Sequence, residues 1–185
     1  MGSFENEKKQ ALNKKDKSRK QSVDEKIKKL IKIMNNKNNY YTTSSCAGRI
    51  LLITLGKKKQ NTKWIFTSHN KIRFIEISDY LKKLPKEKVY FRQEAFILHV
   101  ACRSLDDAQR FLDAVNGVRR KGILSSRGKI VVEIIGSPHF EAIIAKSGKL
   151  IIQKEYLKYL IDEANLRLSQ NWKKIKEIEK NLDKL

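Results

Sequence analysis

The sequence predicts an α+β fold that ends in a long C-terminal helix. The chain has 185 residues, 40% of them hydrophobic, which suffices for one domain with a packed core or for two small halves. Apolar positions switch repeatedly between helical spacing and strand-like spacing along the chain. The last apolar stripe keeps helical spacing from about residue 154 to residue 182.

The elements follow in chain order. Residues 1–20 are polar and Lys-rich, and we assign them to a flexible or partly helical basic segment ahead of a domain at 21–185. Ser22-Val23-Asp24-Glu25 predicts a capping box with Ser22 as N-cap, and the asparagine-rich stretch 35–39 ends the helix that follows. Further helices are predicted at 72–84, at 105–115 after Ser104, and at 154–182. Strands are predicted at 40–43, 50–55, 63–68, 88–92, 95–102, 122–124, 129–135, 141–146 and 149–152.

One half of the chain resembles the other. Ser22 and Ser104 both open helices, 82 positions apart, and Gly48 and Gly128 both lie in Ser/Gly turns, 80 positions apart. We interpret residues 22–84 and 104–152 as half-repeats in which helix, strand, turn and strand recur. Coincidence is the alternative, because capping boxes and Ser/Gly turns are common.

The charge of the chain indicates a polyanionic partner. Lys and Arg number 41 against 20 Asp and Glu, a net charge of +21. Such an excess favours nucleic acid; the alternative is a surface of solvated lysines. An acidic membrane surface is less favoured, since no basic amphipathic helix stands out. No apolar run approaches the roughly 20 residues of a membrane helix, and the N-terminus lacks an apolar signal segment. We therefore expect a cytoplasmic protein.

A hydroxyl-rich turn is the first candidate site. Thr42-Thr43-Ser44-Ser45 precedes Gly48 and Arg49. Hydroxyls, a glycine that permits a left-handed backbone and a guanidinium fork are suited to a carboxylate or phosphate. An ordinary hydroxyl-rich turn is equally consistent with these residues.

Two strands add an imidazole and aromatic rings. His99 lies in the apolar run 95–102, where a neutral imidazole could accept a proton, although a satisfied core histidine fits as well. Trp64 and Phe66 share one strand face, with His69 at its end, and could stack on a base or simply pack in the core.

Several site classes are disfavoured. Three histidines and two cysteines are scattered without metal-ligand spacing, so no metal is expected, and Cys46 and Cys102 are interpreted as packed thiols. No Gly-x-Gly-x-x-Gly follows a strand, which disfavours a Rossmann cofactor site.

Taken together, these segments resemble the archaeal and eukaryotic family of tRNA wybutosine-synthesising methyltransferases. The resemblance runs from about Asp16 to the C-terminus. Its markers are Asp16-Lys17-Ser18, Ser22-Val23-Asp24-Glu25, Tyr41-Thr42-Thr43-Ser44-Ser45-Cys46-Ala47-Gly48-Arg49-Ile50, Trp64 with Ser68-His69, Phe96-Ile97-Leu98-His99-Val100, and Ala164-Asn165 with Asn171. The chain departs from the family pattern at Gln21, at Ala95 and at Arg120-Lys121 before Gly122.

The resemblance implies S-adenosylmethionine as methyl donor and a ring nitrogen of the demethylated wyosine-type base, beside the anticodon of tRNA-Phe, as acceptor. It also implies one compact domain with a curved, barrel-like mixed sheet built from a duplicated helix–strand unit. The roles we assign on this basis are proton acceptor or base anchor for His99 and Glu94, and anion binding for Arg49. The cofactor-binding candidates are Ser44, Ser45, Gly48, Trp64 and His69. The RNA-binding candidates are Lys17, Arg19, Lys20, Tyr41, Lys173 and Lys174.

Two other functions remain open from the residues alone. A non-catalytic RNA-binding module would need only the charge and the aromatic rings. A small-ligand or adenylate-binding regulator would need no RNA.

Overall fold

The computed structural model describes residues 3–13, 22–56, 61–126 and 128–183 as an α+β structure with two antiparallel sheets. The helices are α1 (Phe4–Asn13), a 3-10 turn (Glu25–Ile27), α2 (Lys28–Asn36), α3 (Phe74–Leu81), α4 (Leu105–Ala114) and α5 (Lys154–Leu182). The strands are β1 (Tyr40–Cys46), β2 (Arg49–Thr54), β3 (Lys63–Ser68), β4 (Val89–Glu94), β5 (Ile97–Cys102), β6 (Arg120–Ser126), β7 (Lys129–Ile135), β8 (Phe140–Lys146) and β9 (Lys149–Leu150). Among these helices, none is both long enough and apolar enough to cross a membrane.

The single mixed sheet expected from the resemblance is wrong for the described strands. They form two sheets, with orders β1-β5-β7-β6 and β3-β2-β4-β8-β9, in which every paired strand is antiparallel. In neither sheet does the last strand pair with the first, so these strands form no closed barrel. The chain leaves the first sheet and enters the second at Gly48, whose φ of 94° is a conformation that glycine adopts without a Cβ clash.

The first of two compact units comprises Met1–Ala47, Phe96–Ser137 and Asn171–Leu185. In its sheet, the apolar strand β5 lies between β1 and β7. Alternate residues of β5 (Leu98, Val100 and Cys102) enter a core shared with α2, α4 and the end of α5. His99 therefore lies on the opposite face of the sheet.

The second unit comprises Gly48–Ala95 and Pro138–Gln170. Its sheet carries buried residues on β2, β4 and β8, and Leu157, Leu160 and Leu168 of α5 are buried as well. Asn165 ties α5 to the segment before α3, because its side-chain amide accepts from the Ile72 N–H at 2.9 Å and donates to the Ile72 carbonyl at 2.8 Å.

The two predicted helix starts have different outcomes. Ser104 caps α4 as predicted, and its hydroxyl accepts from the Asp107 N–H at 3.1 Å. The capping box at Ser22 is wrong, because the N-cap of the 3-10 turn is Asp24 and forms no side-chain cap bond. The buried Asp24 carboxylate instead accepts from the Ala47 N–H at 2.9 Å. A tertiary hydrogen bond to Ala47 thus takes the place of the predicted local capping bond. The proposed duplication of residues 22–84 and 104–152 stays a prediction.

Cys46 and Cys102 form no disulfide. Burial, together with the Asp107 carboxylate, raises the pKa of Cys102 to about 12. This thiol is therefore protonated and packed at neutral pH, as predicted, whereas Cys46 is only half-buried.

We expect Gly136→Ala to destabilise the protein and Gly122→Ala to leave it nearly unchanged. A Cβ at Gly136 would lie 2.5 Å from Cδ1 of Phe96 and 2.6 Å from Oδ1 of Asn171, which accepts the Phe96 N–H at 3.0 Å. At Gly122 a Cβ would meet nothing within 4 Å. Overpacking costs about 1–3 kcal/mol, against about 0.5 kcal/mol or less where the added methyl is free. Urea unfolding of the two variants measures the difference, and equal midpoints would contradict the packing described for Gly136.

Candidate functional site

A polar row crosses the sheet of the first unit on the face opposite its core. Ser44 of β1 lies opposite His99 of β5, His99 opposite Glu133 of β7, and Glu133 opposite Gly122 of β6. Residues paired in this way point to the same face of a sheet. Ser44 is exposed, and a Cβ added at Gly122 would meet no atom within 4 Å. The row therefore has room for a ligand at both ends.

An ion-paired imidazole stands in the middle of this row. Nε2 of His99 lies 2.8 Å from Oε2 of Glu133, and Oε1 of Glu133 lies 3.2 Å from Nε of Arg120. The Glu133 side chain is only 13% exposed, against 24% for His99 and 64% for Arg120. Both carboxylate oxygens are thus engaged, which fixes the orientation of the group facing the imidazole.

Sequence reasoning missed Glu133. The acid stands alone among apolar residues in the run Ile130-Val131-Val132-Glu133-Ile134-Ile135, which is the pattern of a charge held inside a sheet for a partner. Only the register between β5 and β7 identifies that partner as His99.

Tyr41 lies further along β1, beneath the N-terminal helix. The ring of Phe4 lies 5.2 Å from the Tyr41 ring, and the Tyr41 hydroxyl donates to Glu7 at 3.2 Å. Tyr41 is 2% exposed, and burial, with Glu7 adding to it, raises the pKa of its phenol to about 12. With α1 in this position, the ring has no open face for a nucleobase.

A second cluster lies in the other unit, around Arg49. Its Nε lies 2.6 Å from Oε2 of Glu94, and its guanidinium lies over the Trp64 ring at 4.4 Å from the centroid. Arg92 reaches the other oxygen of Glu94 at 3.5 Å and also pairs with Glu141. Two guanidiniums and two carboxylates alternate here, so the charges of the cluster balance.

The donor set of this cluster is suited to a small zwitterion. A guanidinium binds a carboxylate through a planar fork, and stacking on an indole holds the fork in one orientation. The Arg49 side chain is 27% exposed and that of Glu94 29%, so a ligand in water could reach both. Glu94 is suited to an ammonium or hydroxyl group.

The remaining candidates are placed as follows. Ser45 is half-buried opposite Leu98, Gly48 is buried, and His69 is half-buried directly after β3. On α5, Lys173 is exposed and Lys174 pairs with Glu177. Lys17, Arg19 and Lys20 lie outside the described residues.

Comparison with known proteins shows similarity over nearly the whole chain. The family described as Methyltransferase TYW3 matches residues 6–184. A Pyrococcus furiosus protein named tRNA(Phe) 7-((3-amino-3-carboxypropyl)-4-demethylwyosine(37)-N(4))-methyltransferase 1 is 34% identical over 188 residues, covering 98% of this chain and 96% of its own. The Homo sapiens tRNA wybutosine-synthesizing protein 3 homolog is 36% identical over 180 residues, covering 93% of this chain and 69% of its own.

Solved structures share the fold. The PH1069 protein from Pyrococcus horikoshii OT3 superposes with a TM-score of 0.87 at 29% identity, covering 100% of this chain and 95% of that one. A hypothetical protein from Aeropyrum pernix has the same fold, with a TM-score of 0.76 at 23% identity over 87% of this chain and 98% of its own. The family match and the identity to its named members agree, and this chain belongs to the methyltransferase TYW3 family.

Proposed function

We propose that the protein transfers a methyl group from S-adenosylmethionine to a ring nitrogen of the demethylated wyosine-type base beside the anticodon of tRNA-Phe. The observation that carries this proposal is the 34% identity to a relative named for that reaction, over 98% of this chain and 96% of the relative. The net charge of +21 is suited to an RNA substrate. A protein acting on tRNA would work in the cytoplasm.

The cluster around Arg49 is the proposed cofactor site. Arg49 would bind the carboxylate of S-adenosylmethionine, Glu94 its ammonium or ribose hydroxyls, and Trp64 would stack on its adenine. When bound, the cofactor supplies an electrophilic methyl group on a sulfonium. Ser44, Ser45, Gly48 and His69 stay predictions from the sequence as further cofactor contacts.

The row containing His99 is the proposed acceptor site. A nitrogen that gains a methyl group must lose its proton, and His99 lies on an accessible sheet face with a hydroxyl neighbour in Ser44. We assign proton acceptance to His99, and Glu94 is the alternative acceptor. The acceptor base has to be splayed from the anticodon stack to reach any such site.

RNA contacts are proposed for the basic residues at both ends of the chain. Lys173 and Lys174 would hold the tRNA backbone, as would Lys17, Arg19 and Lys20. Tyr41 would stack on a base only after displacement of α1, which covers its ring.

Methyl transfer from labelled cofactor tests the proposed function directly. The substrate is tRNA-Phe isolated from a strain that lacks this gene, with tRNA-Phe from the parent strain as the control. We expect label in the first tRNA and not in the second, which already carries the modification. Binding of tRNA without label transfer, and without heat of binding for S-adenosylmethionine in calorimetry, would favour the RNA-binding module. Cofactor binding without tRNA binding would favour the regulator.

The affinity for tRNA-Phe should fall steeply with salt. Each phosphate neutralised on single-stranded RNA contributes a slope of about −0.7 in a plot of log affinity against log salt. We expect Lys173→Ala to make the slope less negative by about one such contribution, measured by filter binding between about 50 and 200 mM salt. A flat response of the parent protein would contradict binding through the basic surface.

A further inference from the structure

The pairing of His99 with Glu133 determines which imidazole nitrogen carries the hydrogen. An ionised carboxylate only accepts hydrogen bonds, so the 2.8 Å contact between Nε2 of His99 and Oε2 of Glu133 requires a hydrogen on Nε2. In the neutral imidazole the lone pair is then on Nδ1. The second oxygen of Glu133 is occupied by Arg120 at 3.2 Å, so the carboxylate is held from both sides.

We propose that Glu133, itself held by Arg120, is the positioning residue that keeps His99 in the Nε2-protonated form, with Nδ1 as the proton acceptor in methyl transfer. This inference rests on the proposed function and names a residue that the family match does not. Glu133 acts through His99 and does not itself touch the acceptor base.

The location of the pair distinguishes it from an ordinary core contact. The core of this unit lies on the other face of the sheet, where Leu98 and Ile134, the neighbours of His99 and Glu133, are packed. The row of His99 and Glu133 begins at the exposed Ser44 and ends at Gly122, where space is open. A histidine that only stabilises the fold does not need an accessible sheet face. A proton acceptor that must contact the ring of the acceptor nucleobase does need one.

The proton and electron pairs are balanced as follows. The N–H bond of the acceptor ring breaks, and its proton moves to Nδ1 of His99. The electron pair left on the ring nitrogen forms the bond to the methyl carbon, while the pair of the carbon–sulfur bond returns to sulfur. His99 is then an imidazolium, which the adjacent Glu133 carboxylate stabilises until the proton passes to water.

Glu133→Gln tests the inference because it keeps the shape of the side chain and removes its charge. An amide both donates and accepts, so the requirement for a hydrogen on Nε2 is lost. Nitrogen-15 NMR of the tRNA-free protein should show the Nε2–H form of His99 in the parent protein and a larger Nδ1–H population in the variant. In methyl transfer, kcat should fall about 10- to 100-fold while KM for tRNA stays within about 2-fold.

Glu163→Gln is the matched control. Glu163 is also a partly buried carboxylate paired with an arginine, at 2.6 Å from Nε of Arg167. The control should keep both the tautomer of His99 and the parental kcat. Arg120→Ala gives an independent variant if Glu133→Gln does not fold. It leaves the His99–Glu133 contact but frees the second oxygen, so we expect the Nε2–H form to persist with a kcat loss of about 10-fold or less.

A His99 that carries its hydrogen on Nδ1 in the parent protein would overturn the inference, as would Glu133→Gln with parental kcat. The tautomer is measured without tRNA or cofactor. Failure of the proposed methyl transfer would therefore show separately, as an unlabelled tRNA beside an intact Nε2–H signal.

Discussion

We expect Arg49→Ala to impair methyl transfer severely in a protein that remains folded. The guanidinium stacked on Trp64 is the anion partner of the proposed cofactor site, and its loss should lower kcat/KM by about 10²- to 10³-fold. The fold should persist because Glu94 keeps a second guanidinium, that of Arg92 at 3.5 Å. A partly exposed ion pair of this kind contributes about 1 kcal/mol or less.

Arg167→Ala is a matched control for this experiment. Arg167 also pairs with a glutamate, Glu163 at 2.6 Å, and also lies over an aromatic ring, that of Phe140 at 5.1 Å. It should lose similar stability and keep activity. Arg49→Lys retains the charge without the planar fork and should bind S-adenosylmethionine more weakly than the parent in calorimetry. Parental activity in Arg49→Ala would show that the cofactor carboxylate is held elsewhere.

Element positions follow from the sequence wherever the apolar period is long. The predicted bounds of α5 agree with the structure, because its apolar stripe keeps helical spacing from end to end, and the predicted bounds of β3 and β7 agree as well. Sheet membership does not follow from such runs. β1 and β2 adjoin in the chain but lie in different sheets, since β1 pairs with β5, far along the sequence. Pairing between distant strands leaves no trace in local spacing.

The candidate site shows the same division. The residue types in the sequence indicate His99 and Arg49 as site residues. Their partners follow only from strand register, which places Glu133 opposite His99 and Glu94 opposite Arg49. The family resemblance assigns a role to Glu94, whereas Glu133 receives no role from the sequence. The burial of Tyr41 was also out of reach, because nothing in the polar segment 1–20 indicates that Phe4 packs over that ring.

His99→Ala should lower kcat by about 10²- to 10⁴-fold with little change in KM, because general base catalysis acts on the transition state and not on substrate binding. His99→Gln should be nearly as slow, since the amide fills the site without accepting a proton at neutral pH. His139→Ala is the control: its backbone carbonyl accepts from Arg167 at 2.7 Å, and this contact survives the substitution.

The same measurement separates the two candidate proton acceptors. If His99→Ala keeps the parental turnover, the proton does not pass through the imidazole, and Glu94 becomes the acceptor to test by Glu94→Gln. If His99→Ala is slow and Glu94→Gln mainly raises KM for S-adenosylmethionine, the carboxylate binds the cofactor and the imidazole moves the proton. The split between kcat and KM thus assigns a separate role to each of the two ion-paired clusters.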